Sequence, residues 1–312
     1  MTLTSALAVV GLTPEELESK LGAVLDEGEP YVVGSLASGF GNSASDVDVH
    51  VLVPGLEEPA RPQLHFAGEV AVDVERYPAH WPADLITSAR SAGVARLECG
   101  DIALETPLGS RSRRWASRWP YAVPVRDSPP IFDSDGMAAL LPLLVRAAFD
   151  QVVMFAATAR LADAAGAPGP ARSQLWSRAE RHLLELRCRA AGEVTTGQKW
   201  LPNRVRRLEL AAVPPTGTAA GFAVARAEAG VPVVDEWELV TVRPAAGARA
   251  QTLAGRRYLV NRHDTLLGEW SEFTGTLAAA VAQLGAARVL AAVHRAELDV
   301  AVDGDAVRKA LA

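Results

Sequence analysis

The sequence predicts an α+β fold: strands first, helices through the middle, and a short segment of strands and helices at the end. Three observations predict it. Valines alternate through Val47, Val49, Val51 and Val53 and again through Val70, Val72 and Val74, which is the period of a half-buried strand. Helical periodicity dominates from about residue 137 to 229, between Gly-, Pro- and Thr-rich breaks. From Trp237 the pattern returns to strands and then to two Ala-rich helices. At 312 residues the chain is long for a single core, and the shifts in pattern divide it at 1–118, 119–232 and 233–312.

Taken in order, Thr13-Pro14-Glu15-Glu16 supplies a cap, a proline at the first helical position and a glutamate at the third, so a helix runs to about Asp26. Residues 31–34 read as a short buried strand and 35–45 as a loop of small residues. The valine strand 47–53 follows, with Asp46, Asp48, His50 and Leu52 on its other face, and Pro54-Gly55 stops it. A Pro-rich connection leads to a strand over 69–77, where Asp73 and Glu75 oppose the valines. Beyond Pro82 the pattern is helical to about Leu97, and 111–130 is a basic connector carrying Trp115 and Trp119. Helices are expected over about 137–164, 173–191, 197–212 and 219–229, then strands over 238–242 and 257–261. Two Ala-rich helices, a strand near 298–302 and a terminal helix after Asp303 complete the chain. This last order is that of a small winged-helix or peptide-docking appendage, with Trp237, Trp270 and Phe273 as its core. There is no internal repeat.

Composition narrows the classes. With 49% apolar and 22% charged residues the chain is built to fold rather than to stay disordered. Cys99 and Cys188 cannot make a disulfide framework or a clustered zinc site. The first charged residue is Glu15, so no basic n-region announces a secretory signal. Pro142, Arg146, Gln283 and Arg288 interrupt the most apolar stretches, so no membrane span is expected. A cytoplasmic protein is the expectation. The net charge of −6 hides a basic middle: residues 111–207 hold 16 Lys/Arg against 8 Asp/Glu, while the rest holds 15 against 29. Such a segment suits a local anionic ligand better than a whole-surface nucleic-acid contact.

Two motifs compete for the glycine-rich loop. Gly39-Phe40-Gly41-Asn42-Ser43-Ala44 has the spacing of a dinucleotide fingerprint, but that motif must open a helix, and here a strand follows. The other reading begins at Gly34-Ser35, where backbone without a Cβ can approach a phosphate and the next amide and hydroxyl can donate to it. It ends at Ser45-Asp46-Val47-Asp48. Alternation puts Asp46 and Asp48 on one strand face, about 6 to 7 Å apart at the backbone. Their carboxylates can then converge on a hard cation such as Mg²⁺ or Mn²⁺, which takes oxygen ligands and borrows substrate phosphates. Asp73 on a neighbouring strand would add a third carboxylate; Glu75, on the same face, is its alternative if the register slips. His50, two residues beyond Asp48, is either a structural histidine or a contact to substrate or to one of these acids.

This ordered set resembles the nucleotidyltransferase fold of the DNA polymerase β superfamily: Gly34-Ser35, Gly39, Ser45-Asp46-Val47-Asp48 and Val72-Asp73-Val74, over about residues 31–77. The resemblance implies a catalytic domain over 1–118 with a mixed sheet and flanking helices. It further implies a helical domain over 119–232 that closes on the nucleotide, with 233–312 as a small mixed α/β appendage. It implies metal-dependent transfer of a nucleoside monophosphate from an NTP to an acceptor, with pyrophosphate leaving. Asp46, Asp48 and Asp73 would be the catalytic metal ligands, and Gly34 and Ser35 would hold the phosphates. Lys199, one of three lysines and followed by Trp200, matches the lysine that related enzymes send to the triphosphate. A small-molecule acceptor is expected ahead of an RNA or tRNA 3′ end, and a protein side chain comes third. The rival is a member of the fold that binds nucleotide or a partner without turnover. Arg178, Arg181, Arg189, Arg204, Arg206 and Arg207 read mainly as solvated helix residues. Arg111, Arg113, Arg114 and Arg118 read as part of a hinge anchored by tryptophans, ahead of a nucleic-acid contact.

Overall fold

The computed structural model describes residues 1–105, 108–195, 197–211, 214–246, 248–260 and 266–312, without the side chains of 110, 111, 113, 270 and 272. Thr196, Asn261 and the side chains of Arg111, Arg113 and Trp270 thus lie outside the described residues. Two compact units interleave along the chain and cut across the boundaries read from sequence. One comprises Met1–Ala92, Pro107–Leu144 and Gly192–Leu210; the other comprises Gly93–Thr106, Val145–Ala191 and Ala211–Ala312.

The strands are β1 (Glu29–Val33), β2 (Val47–Val53), β3 (Gln63–Ala67), β4 (Val70–Pro78), β5 (Val94–Leu97), β6 (Gly100–Ala103), β7 (Val123–Pro124), β8 (Val240–Pro244), β9 (Arg249–Leu253), β10 (Arg256–Val260), β11 (Leu266–Glu269), β12 (Gly275–Thr276) and β13 (Leu298–Val302).

The first unit carries a mixed sheet in the order β3-β4-β2-β1-β7, in which β2 and β4 are parallel and the other pairs antiparallel. Its fold class is therefore α+β with a mixed sheet. The alternation read from sequence sorts its two faces. Val47, Val49, Val51, Val72 and Val74 are fully buried together with Leu7, Leu17, Leu21 and Leu25 from helices Leu3–Ala8 and Pro14–Leu25. The second of these helices starts as expected, with Thr13 and Glu16 in a reciprocal capping box. The other face carries Asp48, His50, Asp73 and Glu75. It is not simply a solvent face, because His50 and Leu52 are also buried.

Three expectations need correction. The Pro-rich connection contains β3, which forms a hairpin with β4 through Gly68, where φ is +64°. The helix after His80 stops at Ser91 instead of Leu97, because the 94–97 segment pairs as a hairpin with β6. Pro142 and Arg146 do not shorten the apolar stretch below a span's length: the helix Ser134–Ala164, expected over 137–164, is long and apolar enough to cross a membrane by length and composition. A core helix meets the same criterion, and 56% of its most apolar window is buried.

In the second unit Arg146 is fully buried, donates to the carbonyls of Ala103 and Leu104, and pairs with Asp150. Its C-terminal portion holds the sheets β12-β8-β13 and β11-β10-β9, with helices Leu277–Leu284, Ala286–His294 and Gly304–Leu311. Phe273 is buried there, but Trp237 instead lies beneath Arg160 and donates to the Ala157 carbonyl.

Candidate functional site

The residues singled out in sequence meet at one end of the first unit's sheet. β1 ends at Val33, and Gly34 turns the chain with φ +74°, a conformation that L side chains rarely adopt. A Cβ on Gly34 would lie 2.1 Å from Oδ2 of Asp48, so the absent side chain is what lets the turn and the aspartate share that space. The segment Gly34–Ala37 is a single helical turn. The Ser35 carbonyl then accepts from the amides of Phe40 and Gly41, and the Ser38 hydroxyl donates to the Gly34 carbonyl. Ser45 closes the loop: its Oγ accepts from the Asn42 amide while its own amide donates to the Asn42 carbonyl. The chain enters β2 directly, with no helix after the Gly39–Ala44 run, as the discarded dinucleotide reading would have needed.

Register decides which acids are neighbours. In the parallel β2/β4 pair, Asp48 stands opposite Asp73 and His50 opposite Glu75. Asp46, just before β2, is exposed, while Asp48 is largely enclosed. Burial raises the Asp48 carboxyl above its usual range, Arg118 pulls it back, and the charges of Asp46, Asp73 and Glu75 push it further up. Asp73 is likewise raised, by burial first and then by Glu75 and Asp46, against the opposing pull of Arg118 and Arg114.

Glu75 is taken up by donors. It accepts from the Tyr77 hydroxyl at 2.6 Å and from Arg114 at 3.2 Å, and Arg118 lies 3.6 Å away. His50 is 1% exposed; its Nδ1 accepts from Trp119 Nε1 at 2.9 Å, which places the proton of the neutral ring on Nε2. Among the described residues Nε2 has no hydrogen-bond partner, and it lies 3.9 Å from Glu75. Burial, then Arg118 and Arg114, hold His50 well below the usual histidine range, so the ring is neutral at pH 7. Behind these groups Tyr77, Trp81, Trp115 and Trp119 form an aromatic wall, with Trp115 and Trp119 4.3 Å apart between ring centres.

Arg114 and Arg118, which read as part of a hinge, line the cavity together with Lys199 and, among the described residues, are the two cations that pair with the acids of the sheet. Arg118 Nη1 donates to Asp48 Oδ1 at 3.1 Å. The spacing held the signal: Arg114 and Arg118, and Trp115 and Trp119, are each four apart, so a helical turn gives the arginines one face and the tryptophans the next. Helix Ser110–Ala116 and the 3₁₀ turn Trp119–Tyr121 supply that geometry.

The segment 192–210 completes the site. Buried Glu193 accepts from the Tyr121 hydroxyl at 2.7 Å and from Arg207 at 3.0 Å. Burial pushes the Glu193 carboxyl up, but hydrogen bonds from Thr195 and Tyr121 outweigh it and hold the group below its usual value. Arg207 also donates to the Ser38 carbonyl and lies 3.8 Å over the Phe40 ring; Arg204 donates to the Glu193 carbonyl. Arg204 and Arg207 thus bind protein groups, Arg189 pairs with Glu185, and Arg178 and Arg181 belong to the second unit. Lys199 is exposed, with Nζ 5.0 Å from the Trp200 ring, which stacks on Phe40. A cavity of about 310 Å³ is lined by Gly34, Ser35, Asp46, Asp48, Arg114, Arg118, Lys199 and Trp200, among others; neither Asp73 nor Glu75 lines it.

The donor set suits a hard cation: three aspartates offering only oxygen, two of them raised by burial first and by neighbouring carboxylates after it, both of which a bound cation would offset. Yet among the described residues no three His, Cys, Asp or Glu side chains are disposed to share one ion as they stand. Compared with protein-family models and with curated proteins, the chain matches none.

Proposed function

We propose that this protein is a divalent-cation-dependent nucleotidyltransferase that moves a nucleoside monophosphate from an NTP to an acceptor and releases pyrophosphate. The observation that carries the reading is the single cavity onto which the Gly34-Ser35 turn, the Asp46/Asp48 pair and Lys199 all open. Phosphate-holding and cation-holding groups therefore lie where one triphosphate can touch both.

Asp46, Asp48 and Asp73 would hold Mg²⁺ or Mn²⁺, which, when bound, would neutralise phosphate charge and lower the pKa of an acceptor hydroxyl. The chain's own groups do the rest. Gly34 lets Asp48 pack against the turn, and the Ser35 hydroxyl, which lines the cavity, donates to phosphate oxygens. The Lys199 ammonium gives a compact point charge to the outer phosphates. Glu193, by tying Tyr121, Arg207 and the 193–195 backbone together, keeps the Lys199 segment against the Ser38–Phe40 loop. No covalent enzyme intermediate is needed, because positioning and charge stabilisation suffice for phosphoryl chemistry. A cavity of about 310 Å³, with acidic sequence on either side of the basic middle, favours a small-molecule acceptor over a long polyanion.

Pyrophosphate release, measured with each NTP, Mg²⁺ or Mn²⁺, and pooled small-molecule acceptors, tests the reading. A specific observation favours one alternative: with Arg118 on Asp48 and no ready three-carboxylate grouping among the described residues, a protein that binds nucleotide without turnover would look the same. Nucleotide binding with no pyrophosphate under any condition would select that alternative.

A further inference from the structure

Arg118 is the least expected group in the site. Its side chain is 22% exposed and bridges two carboxylates, 3.1 Å from Asp48 Oδ1 and 3.6 Å from Glu75 Oε1. The other oxygen of Asp48, Oδ2, is packed over Gly34. Arg118 therefore occupies the open side of Asp48, where an incoming cation would have to bind.

Its second partner is anchored. Glu75 is fixed by the Tyr77 hydroxyl and by Arg114, with the proton-bearing Nε2 of buried His50 at 3.9 Å. A guanidinium released from Asp48 thus stays tethered beside Glu75. Arg118 and Arg114 both line the cavity that also holds Ser35 and Lys199, and a planar fork of donors matches phosphate oxygens better than an ammonium does.

We propose that Arg118 is an exchangeable counter-ion: it neutralises Asp48 while the site is free of nucleotide, and it turns to a phosphate oxygen of the triphosphate when Asp48 takes up a divalent cation. Glu75 is the positioning residue for this guanidinium and not a cation ligand. The inference rests on the nucleotidyltransferase reading and adds a residue to it. Each partner keeps a counter-ion of opposite sign through the exchange: Asp48 trades the guanidinium for a divalent cation, and the guanidinium trades a carboxylate for a phosphate oxygen. Cation and nucleotide binding are thereby coupled, because neither exchange is complete without the other.

The test measures Mn²⁺ binding by electron spin resonance on the full chain at fixed salt, with Mn²⁺ alone and with Mn²⁺ plus inorganic tripolyphosphate, a phosphate chain that presupposes no base. Arg118→Ala should bind Mn²⁺ alone about tenfold more tightly than wild type, and should bind tripolyphosphate about tenfold more weakly, the scale of one charged hydrogen bond. Arg118→Lys should fall between on both. Glu75→Gln should weaken tripolyphosphate binding while retaining Mn²⁺ binding. A damaged fold would weaken both ligands together, so the opposed signs separate exchange from structural loss, and thermal melts of each variant check it. Unchanged Mn²⁺ affinity in Arg118→Ala, with binding still abolished by Asp46→Asn and Asp48→Asn, overturns the exchange and leaves the transferase reading standing. If wild type binds no Mn²⁺ even with tripolyphosphate, both fall.

Discussion

Replacing Gly34 with alanine tests the tightest contact in the site. The substitution carries two costs that the structure separates. At φ +74° an L residue sits in the left-handed region, at about 1–2 kcal/mol. The new Cβ would also lie 2.1 Å from Asp48 Oδ2 and 2.9 Å from its Cγ, so Asp48 must rotate, which breaks the Arg118 hydrogen bond; forced packing of this kind costs about 1–3 kcal/mol. The stiffer unfolded chain returns about 0.4–1 kcal/mol. The net destabilisation is therefore about 1–5 kcal/mol, centred near 3. Gly55 provides the control: its φ is +75° and nothing lies within 4 Å of its added Cβ, so Gly55→Ala should cost about 1 kcal/mol or less. Urea unfolding of wild type, both variants, Asp48→Ala and the Gly34→Ala/Asp48→Ala pair gives the clash as a coupling of about 1–3 kcal/mol. If Gly34→Ala and Gly55→Ala are equally stable, or the double variant shows no coupling, the account of the Gly34–Asp48 contact is wrong.

Buried His50 is held neutral in the fold, so its stabilisation is present above the unfolded value near 6.5 and is lost as pH falls below it, by up to about 1.4 kcal/mol per pH unit. His50→Asn, whose Oδ1 can accept from Trp119, should remove that acid slope; a wild-type-minus-variant difference that stays constant from pH 7.5 to 5 refutes it. Asp73 has a raised folded pKa, so its charge destabilises the protein at neutral pH, and Asp73→Asn should raise the melting temperature at pH 7 with the gain fading as pH falls through that titration. In transfer assays Asp73→Ala should lose about 10²–10⁴ in rate, on the scale of lost charge stabilisation, and the ranking Glu75→Ala below Asp73→Ala would make Glu75 the third ligand. Lys199→Ala should weaken NTP binding about ten- to a hundredfold, the size of a charged hydrogen bond, and NMP binding much less, with Lys199→Arg recovering part of it; equal NTP affinity at fixed salt and Mg²⁺ returns Lys199 to an ordinary surface lysine.

Much of the first unit was legible because its signals are local. The Thr13-Pro14-Glu15-Glu16 cap, the valine alternation of β2 and β4 and the Gly34 turn each depend on a few adjacent residues, and all three appear where the pattern put them. β3 was not legible: its Gln63-Leu64-His65-Phe66-Ala67 run has an exposed leucine and phenylalanine and forms only by pairing with β4, a contact no local pattern announces. The helix was extended to Leu97 for the same reason, since Val94–Leu97 becomes a strand through its partner β6. Within the site, the acids were visible because alternation assigns a strand face. The roles of Arg114 and Arg118 were not, because they are set by a sheet reached across 70 residues of chain between Asp48 and Arg118. Glu193 was passed over as one acid in a basic stretch. Its burial and its bonds to Tyr121 and Arg207 exist only in the folded unit.

Pyrophosphate production tests the central claim most directly. Wild type should release pyrophosphate from at least one NTP in the presence of Mg²⁺ or Mn²⁺ and an acceptor, and release should stop on addition of a chelator. Asp46→Asn and Asp48→Asn should each abolish it while keeping a cooperative melt. Pyrophosphate release in both variants within threefold of wild type, or none from wild type with any NTP although nucleotide binds, would contradict carboxylate-driven nucleotidyl transfer.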